Sequence, residues 1–400
     1  MFDIEEFKLN APIIPYIEQK YPDKLPIKKR TKDCVFCNCI FHTENTASLV
    51  FFNSTNRYKC FGCGVHGDIV DLVRHIENLT FEEACIMIGE DTNQVVQFTP
   101  PNPYHEKFKD EMTNNALRYV NNLNNNADAL NYLMNVRGLS IDTINDFRLG
   151  LTDVDEYKYR SDMGNISDKI AFPIIEHNTK PKCLGFAYRS YKDNNHPKYI
   201  NDRNQCGLDG QDVNLSGVFI KGNLLYGYYY ARKPSKEKGY VILTEGYFDV
   251  LSLYNCGIKN VVASMGTALT KEQLIELKKL SNNVILMFDM DKAGRKRILD
   301  LIPIMLQEGF NIAIAKYDCK DPDELAKSFN GNNNLLESYI NSNAVQYIDY
   351  IIDELTKDYN RIISLERMKV VNKASKYSEF IQNETQKEYF NKLLFSKIGF

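Results

Sequence analysis

No run of apolar residues in this 400-residue chain approaches the roughly 18 needed to span a bilayer, so the sequence offers no transmembrane helix. A secretory signal is missing too: the chain opens Met1-Phe2-Asp3-Ile4-Glu5-Glu6, with no basic segment leading into an apolar one. Ten cysteines without a signal of export point to a reducing, cytoplasmic compartment. Charge of one sign is also not in excess. The formal net charge of −3 argues neither for nor against nucleic acid, so any site for a polyanion must come from local basic patches. What remains is an ordinary globular composition, 44% hydrophobic and 25% charged, in a chain too long for one core and long enough for two to four domains.

The cysteines are unevenly spread. Cys34, Cys37, Cys39, Cys60 and Cys63 fall in one short interval, which favours a metal over disulfides. Cys34-Val35-Phe36-Cys37-Asn38-Cys39-Ile40-Phe41-His42 is followed after seventeen residues by Cys60-Phe61-Gly62-Cys63. Two short ligand pairs on separate turns, joined by a hairpin, can present four donors tetrahedrally to zinc. The second pair is Cys60 with Cys63; spacing alone leaves the first as either Cys34 with Cys37 or Cys39 with His42. Leu49 to Phe52 and Arg57 to Lys59 read as the hairpin, turning at Asn53 to Asn56. Arg57 and Lys59 alternate there with aromatics, a pattern that can meet bases and phosphates of a single strand together. Upstream, Lys24, Lys28, Lys29, Arg30 and Lys32 form a basic run, read as a phosphate contact only because it adjoins the ribbon. Residues 1 to 20 have helical spacing interrupted by Pro12 and Pro15. Thr80-Phe81-Glu82-Glu83 carries a capping-box pattern at the start of a helix.

A different chemistry is concentrated between Tyr240 and Asp323. Val241-Ile242-Leu243-Thr244 reads as a buried strand ending in Glu245-Gly246-Tyr247-Phe248-Asp249, Val261-Val262-Ala263 as a second, and Val284 to Phe288 as a third running into Asp289-Met290-Asp291. A fourth, Ile312 to Lys316, precedes Asp321 and Asp323, and helices fill the intervals, one of them capped by Thr270. Strands alternating with helices imply a parallel sheet whose carboxyl ends share one edge. Glu245, Asp249, Asp289, Asp291, Asp321 and Asp323 would therefore gather together. Such a cluster is unfavourable unless hard cations neutralise it, and oxygen donors suit magnesium or manganese. Two such ions about 4 Å apart serve phosphoryl transfer.

These segments resemble the Toprim domain of bacterial and phage DnaG-type DNA primases. The resemblance is carried by Glu245 to Asp249, by Gly266-Thr267-Ala268-Leu269-Thr270, by Phe288-Asp289-Met290-Asp291-Lys292-Ala293-Gly294 and by Asp321-Pro322-Asp323-Glu324-Leu325. Cys39-Ile40-Phe41-His42 followed by Glu44 and Ser48 resembles that family's zinc motif, with Ile40 and Ala47 where the family has proline. The resemblance implies that Cys39, His42, Cys60 and Cys63 hold one zinc ion. It also implies that Glu245, Asp289, Asp291, Asp321 and Asp323 hold one to three magnesium or manganese ions, with Asp249 completing the catalytic pocket. Arg189, Lys198 and Lys221 stand where the family has the basic ridge that holds template and nucleotide.

The expected fold is a multidomain α/β chain. It has a zinc-ribbon DNA-binding domain (1–92), a linker (93–110), a mixed α+β lobe with the basic ridge (111–236), a Rossmann-like Toprim sheet (237–325) and a helical C-terminal subdomain (326–400). The activity implied is synthesis of short RNA primers on single-stranded DNA from nucleoside triphosphates by a monomer, in the cytoplasm of a bacterium or of a phage-infected host, with a replicative helicase as partner and no membrane. The family's helicase-binding domain would follow Phe400, where this chain stops; that reads as a compact phage primase or a truncated chain. Two other readings use the same motifs. One is a Toprim nuclease or topoisomerase, and the other a zinc-ribbon DNA-binding protein without catalysis, for which the six acids would be no asset.

Overall fold

The computed structural model describes residues 4–44, 46–77, 79, 81–94, 96, 103–154, 166–177, 181–192, 199–202, 219–266, 269–329, 333–357, 359 and 364–399. Lys198, Thr80, Thr267, Ala268, the segment 97–102, Ile362 and Ile363 lie outside the described residues. The chain divides into two compact units, 1–102 and 103–400.

In the first unit two short helices, α1 (Ile4–Leu9) and α2 (Ile13–Lys20), are separated just before Pro12, as the prolines require; Pro15 is tolerated in the first turn of α2. An antiparallel sheet follows, with strands β1 (Ile27–Arg30), β2 (Cys34–Cys37), β3 (Leu49–Phe52), β4 (Arg57–Cys60) and β5 (His66–Asp68) in sequential order. Helices α3 (Ile69–Glu77) and α4 (Phe81–Thr92) complete the unit. Val35, Leu49, Phe51, Tyr58, Ile69 and Leu72 form its core with Ile13 and Ile17 of α2. The strand alternation is strict in β4, where Tyr58 and Cys60 are buried while Arg57 and Lys59 face solvent.

The second unit opens with α5 (Pro103–Asn124), so helix takes in residues 103–110 of the stretch expected to be linker. Pro103 sits at the first helical position, where its missing N–H costs nothing, and Phe108 and Met112 are buried against the lobe. Then come α6 (Ala127–Asn131), one π-helical turn (Tyr132–Val136), α7 (Ile141–Asp146), and the antiparallel strands β6 (Gly150–Leu151), β7 (Ile170–Ile175), β8 (Cys183–Arg189) and β9 (Ile200–Asn201). Helix α8 (Tyr228–Lys238) leads into β10 (Val241–Thr244), α9 (Tyr247–Asn255), β11 (Val261–Ala263), α10 (Lys271–Leu280), β12 (Asn283–Leu286), α11 (Lys292–Gln307), β13 (Asn311–Ala315) and α12 (Pro322–Ser328). Strands β11, β10, β12 and β13 are mutually parallel in that order, so their carboxyl ends share one edge. Thr270 caps α10 by accepting from the Gln273 N–H at 3.1 Å.

The C-terminal part is helical with one departure. Between α13 (Asn333–Asn343) and α14 (Tyr347–Thr356), residues Ala344–Gln346 form β14, which adds antiparallel to β13. Val345, within the subdomain expected to be helical, lies instead in that edge strand, pairing with Ile314. Helices α15 (Ser364–Ser378) and α16 (Glu384–Ile398) follow. The parallel sheet divides two cores: Ile242, Val261 and Ile285 pack with the α+β lobe, while Val241, Leu243, Val284 and Leu286 pack with α11, α14 and α16. Such fully buried aliphatic side chains contribute about 1.5–3 kcal/mol each, so the sheet edge is a rigid platform.

Candidate active site and metal centres

Each acid is placed by the junction between a strand and the helix after it. Glu245 directly follows β10; Asp249 lies in the first turn of α9 and accepts the Gly246 N–H at 2.8 Å. Asp289 follows β12, and Asp291 caps α11 through the Gly294 N–H at 2.7 Å. Asp321 caps α12 through the Glu324 N–H at 2.8 Å, and Asp323 is in that helix's first turn. Glu245, Asp249, Asp289, Asp321 and Asp323 line one cleft of about 350 Å³. Asp291 faces a neighbouring cavity, beside Lys320 and Arg295.

The electrostatics of this cleft are those of crowded acids. Burial, with Asp289 and Asp291 nearby, pushes the Glu245 carboxyl up to about 7 despite the opposing Arg297. Burial pushes Asp249 up to about 8, against the Gly246 N–H and with Asp289, Asp321 and Asp323 adding to the rise. Glu245 Oε2 is paired with Arg297, whereas its Oε1 is buried without a hydrogen-bond partner. An orphaned carboxylate oxygen among raised acids fits a hard divalent cation. Asp323 differs from the rest: Oδ1 accepts from the Ser252 hydroxyl, and Oδ2 accepts from Arg137 at 2.6 Å and Lys327 at 3.1 Å. It anchors Arg137, whose guanidinium lies 3.7 Å from the Phe248 ring centroid.

The stability of the metal-free chain should depend on pH accordingly. Glu245 and Asp249 have folded values raised above 4.5 and 3.8, so the stability they contribute is present below about pH 4 and is lost as pH rises through 7 and 8. Because a bound cation needs the ionised form, magnesium should raise the melting temperature more at pH 8 than at pH 6. Calorimetry with and without magnesium at the two pH values checks this; an equal shift would contradict the geometry.

The loop bearing Asp289 and Asp291 depends on Gly294, where an added Cβ would lie 2.0 Å from the Asp289 carbonyl oxygen. Gly294→Ala is expected to push that loop away, costing about 1–3 kcal/mol of stability and weakening magnesium binding. Thermal melting and a magnesium titration read both effects. Behind the loop, the Tyr317 hydroxyl donates to the Phe288 carbonyl at 2.6 Å.

Positive charge faces the acids. Arg189 and Lys221 line the same cleft, Arg189 donating to the Tyr199 hydroxyl at 3.1 Å with its guanidinium 5.2 Å from the Phe248 centroid. Burial pushes the Lys221 ammonium down. Arg137 and Arg297, which motif reading does not single out, are brought in from positions 108 and 52 residues away from Glu245; no local pattern marks them, and only the fold places them there.

In the first unit the ligand atoms of Cys39, His42, Cys60 and Cys63 lie within 4.8 Å of one another. His42 Nδ1 is 3.8 Å from Cys60 Sγ, while Nε2 is 3.3 Å from Glu44 Oε2, a carboxylate that orients the ring. Glu44 also accepts from the Ser48 N–H at 3.0 Å and the Cys39 N–H at 2.6 Å. Burial resists ionisation of Cys60, but hydrogen bonds from Ser48 and from the Cys63 and Gly62 N–H groups bring its thiol down to about 6. This donor set fits zinc. Cys34 and Cys37 stand three apart on β2 and so point to opposite faces; the buried Cys37 thiol donates to the Leu25 carbonyl at 3.4 Å. The alternative pair therefore does not assemble. Among the described residues no cysteine is in a disulfide.

The outer face of the ribbon sheet carries Arg57 and Lys59, registered opposite Phe52 and Val50. Lys59 lies 5.4 Å from the centroid of exposed Phe61, and Lys29 5.5 Å from that of Phe36. Of the basic run, Lys24 pairs with Glu77 at 3.1 Å and Arg30 with Glu18, and Lys29 is the member placed beside Phe36. Among the described residues no helix is long and apolar enough to cross a membrane.

A cysteine-histidine ribbon in one unit and an acidic sheet edge facing basic residues in the other define the class as a zinc-ribbon protein with a Toprim-like domain. Residues 3–102 match the CHC2 zinc finger family and residues 242–326 the Toprim-like family. The chain is 32% identical over 346 residues to a DNA primase of Clostridium acetobutylicum, covering 78% of this chain and 55% of the relative. It is 31% identical over 358 residues to a DNA primase of Aquifex aeolicus, covering 82% and 66%. The crystal structure of the zinc-binding and RNA polymerase domains of the Aquifex aeolicus primase matches 99% of this chain and 97% of its own, at 27% identity and a TM-score of 0.60. A DnaG catalytic domain bound to single-stranded DNA, 23% identical with a TM-score of 0.60, shares the fold over 74% of this chain and 98% of its own. The chain belongs to the DnaG-type primase family. It spans about half to two thirds of the length of the curated relatives it matches.

Proposed function

We propose that this chain synthesises short RNA on a single-stranded DNA template without a pre-existing primer. The observation that supports this most is one cleft in which five carboxylates at the sheet edge face Arg137, Arg189 and Lys221. Magnesium or manganese held by Glu245, Asp289, Asp291 and Asp321 supplies Lewis-acid activation of the reacting phosphate when bound. Asp323, committed to Arg137, acts by holding that guanidinium in place. The 3′-oxygen of one nucleotide forms a bond to the α-phosphorus of the next, the bond to the β-phosphate oxygen breaks, and pyrophosphate leaves. The hydroxyl proton passes to a carboxylate of the cluster. Arg189, Lys221 and Lys198 offset the triphosphate charge, Lys198 from its position in the sequence alone. Four ligands, Cys39, His42, Cys60 and Cys63, hold one zinc ion that fixes the ribbon, whose Arg57, Lys59 and Phe61 meet phosphates and bases of the template. The protein acts in the cytoplasm as a monomer, beside a replicative helicase.

The test is incubation of the chain with labelled ribonucleoside triphosphates, magnesium or manganese, and unprimed single-stranded DNA. Short products destroyed by alkali are expected. Nicking or relaxation of DNA without synthesis would put a Toprim nuclease or topoisomerase in place of this reading.

A further inference from the structure

Beyond the acidic cleft, two adjoining cavities of about 510 and 650 Å³ run between α11 and the helices α13 to α15, sharing Arg295 and Glu354 as walls. The larger one begins at Asp291, so the path starts at the edge of the acid cluster. The smaller one is lined by six cations, Lys292, Arg295, Lys296, Lys357, Lys369 and Lys373, against two carboxylates, Glu354 and Glu366. Glu354 is already paired, with Lys357 at 2.6 Å and with Arg295 at 3.7 Å. Lys292, Lys296, Lys369 and Lys373 are exposed, and none has an acid within ion-pair distance among the described residues. In the larger cavity, Arg295 Nε and the Tyr350 hydroxyl are buried donors without a hydrogen-bond partner. Unpaired cations facing one another across a groove repel unless an anion lies between them.

We propose that this groove carries the phosphates of the nucleic-acid strand that leaves the acidic cleft, an inference that rests on the nucleotidyl-transfer reading above. The spacing favours a strand over a single nucleotide. Lys292 and Lys296 stand one turn apart on α11, and Lys369 and Lys373 one turn apart on α15, about 6 Å of rise in each case. Two facing ladders of flexible point charges suit a repeating polyanion, whereas one triphosphate is better served by a converging cradle of planar forks. Among the described residues the smaller cavity has one aromatic, Tyr359, whose hydroxyl is held by Arg367 at 3.2 Å and reaches the Ile398 carbonyl at 3.3 Å.

The test uses the whole chain and a labelled single-stranded DNA oligonucleotide, with anisotropy followed across salt concentrations. Lys369→Gln with Lys373→Gln removes two phosphate contacts and is expected to lower the slope of log K against log salt by about 1.4, at about 0.7 per contact. Lys369→Arg with Lys373→Arg should restore it, and circular dichroism should be unchanged in both. The same variants are titrated with ATP. An unchanged slope in the glutamine variant overturns the proposal, and so does a loss confined to ATP, which would make the groove a nucleotide site. Primer synthesis by the unmodified chain is measured in parallel. If that fails, the parent reading falls; if it proceeds while the slope is unchanged, the groove proposal alone falls.

Discussion

Removing zinc, or replacing Cys60 with serine, is expected to unfold the first unit while leaving the second folded. Apparent binding free energies of structural zinc reach about 10–16 kcal/mol in small domains, comparable to the whole stability of a domain this size. The ligand turns Cys39 to His42 and Cys60 to Cys63 tie β2 to β3 and β4 to β5, so without the ion the sheet loses its crosslink. Part of the loss is offset by the core of Phe51, Tyr58, Leu72 and Ile17, which a bare zinc finger lacks. Calorimetry of the chelated chain should show a transition of the first unit displaced to lower temperature or absent, with that of residues 103–400 retained. One zinc per chain should be measured before chelation. Cys34→Ser should leave that stoichiometry at one, because Cys34 lies on the outer face of β2, away from the four ligand atoms. A chelated chain melting like the intact one would contradict this account.

Asp289→Asn is expected to lower primer synthesis by at least about 10²- to 10³-fold, the scale on which losing one preorganised electrostatic group at a reaction centre is felt. The substitution keeps the side chain's shape, so the β12–α11 loop and Gly294 need not move. It removes a charge from the centre of the acid set, and Glu245 and Asp249, both raised partly by Asp289, should ionise more readily. Binding of single-stranded DNA should survive or strengthen, because a negative charge beside the phosphate path is gone. Anisotropy and synthesis measured on the same preparation separate the two effects. Loss of both together would place Asp289 in folding rather than in chemistry.

The sequence is most readable where local preference and tertiary role agree. Val241 to Thr244 and Val261 to Ala263 are β-branched runs that are strands, and Thr270 with Gln273 is a capping box that starts a helix. The acids were locatable because a parallel sheet sends every strand-end loop to one edge. In the sequence only the family resemblance separates Cys39 with His42 from Cys34 with Cys37; strand alternation in β2, which sets Cys34 and Cys37 on opposite faces, is not legible from the spacing. The unread features depend on distant partners. Strand β14 is three residues between two helices, and only pairing with β13 makes it a strand. Helix α5 is polar along much of its length, and its start was masked by prolines and asparagines. Arg137 meets Asp323 across 186 residues, and nothing near either one announces the other.

The central claim is that the acidic edge of the Toprim sheet performs nucleotidyl transfer. Its most direct test is one reaction on unprimed single-stranded DNA with labelled ribonucleotides and magnesium, run with the intact chain and with Glu245→Gln, reading RNA made and DNA cut in the same tube. The account predicts short RNA from the intact chain, none from the variant, and uncut DNA in both. RNA made equally well by Glu245→Gln, or DNA cut by the intact chain in place of synthesis, would contradict it.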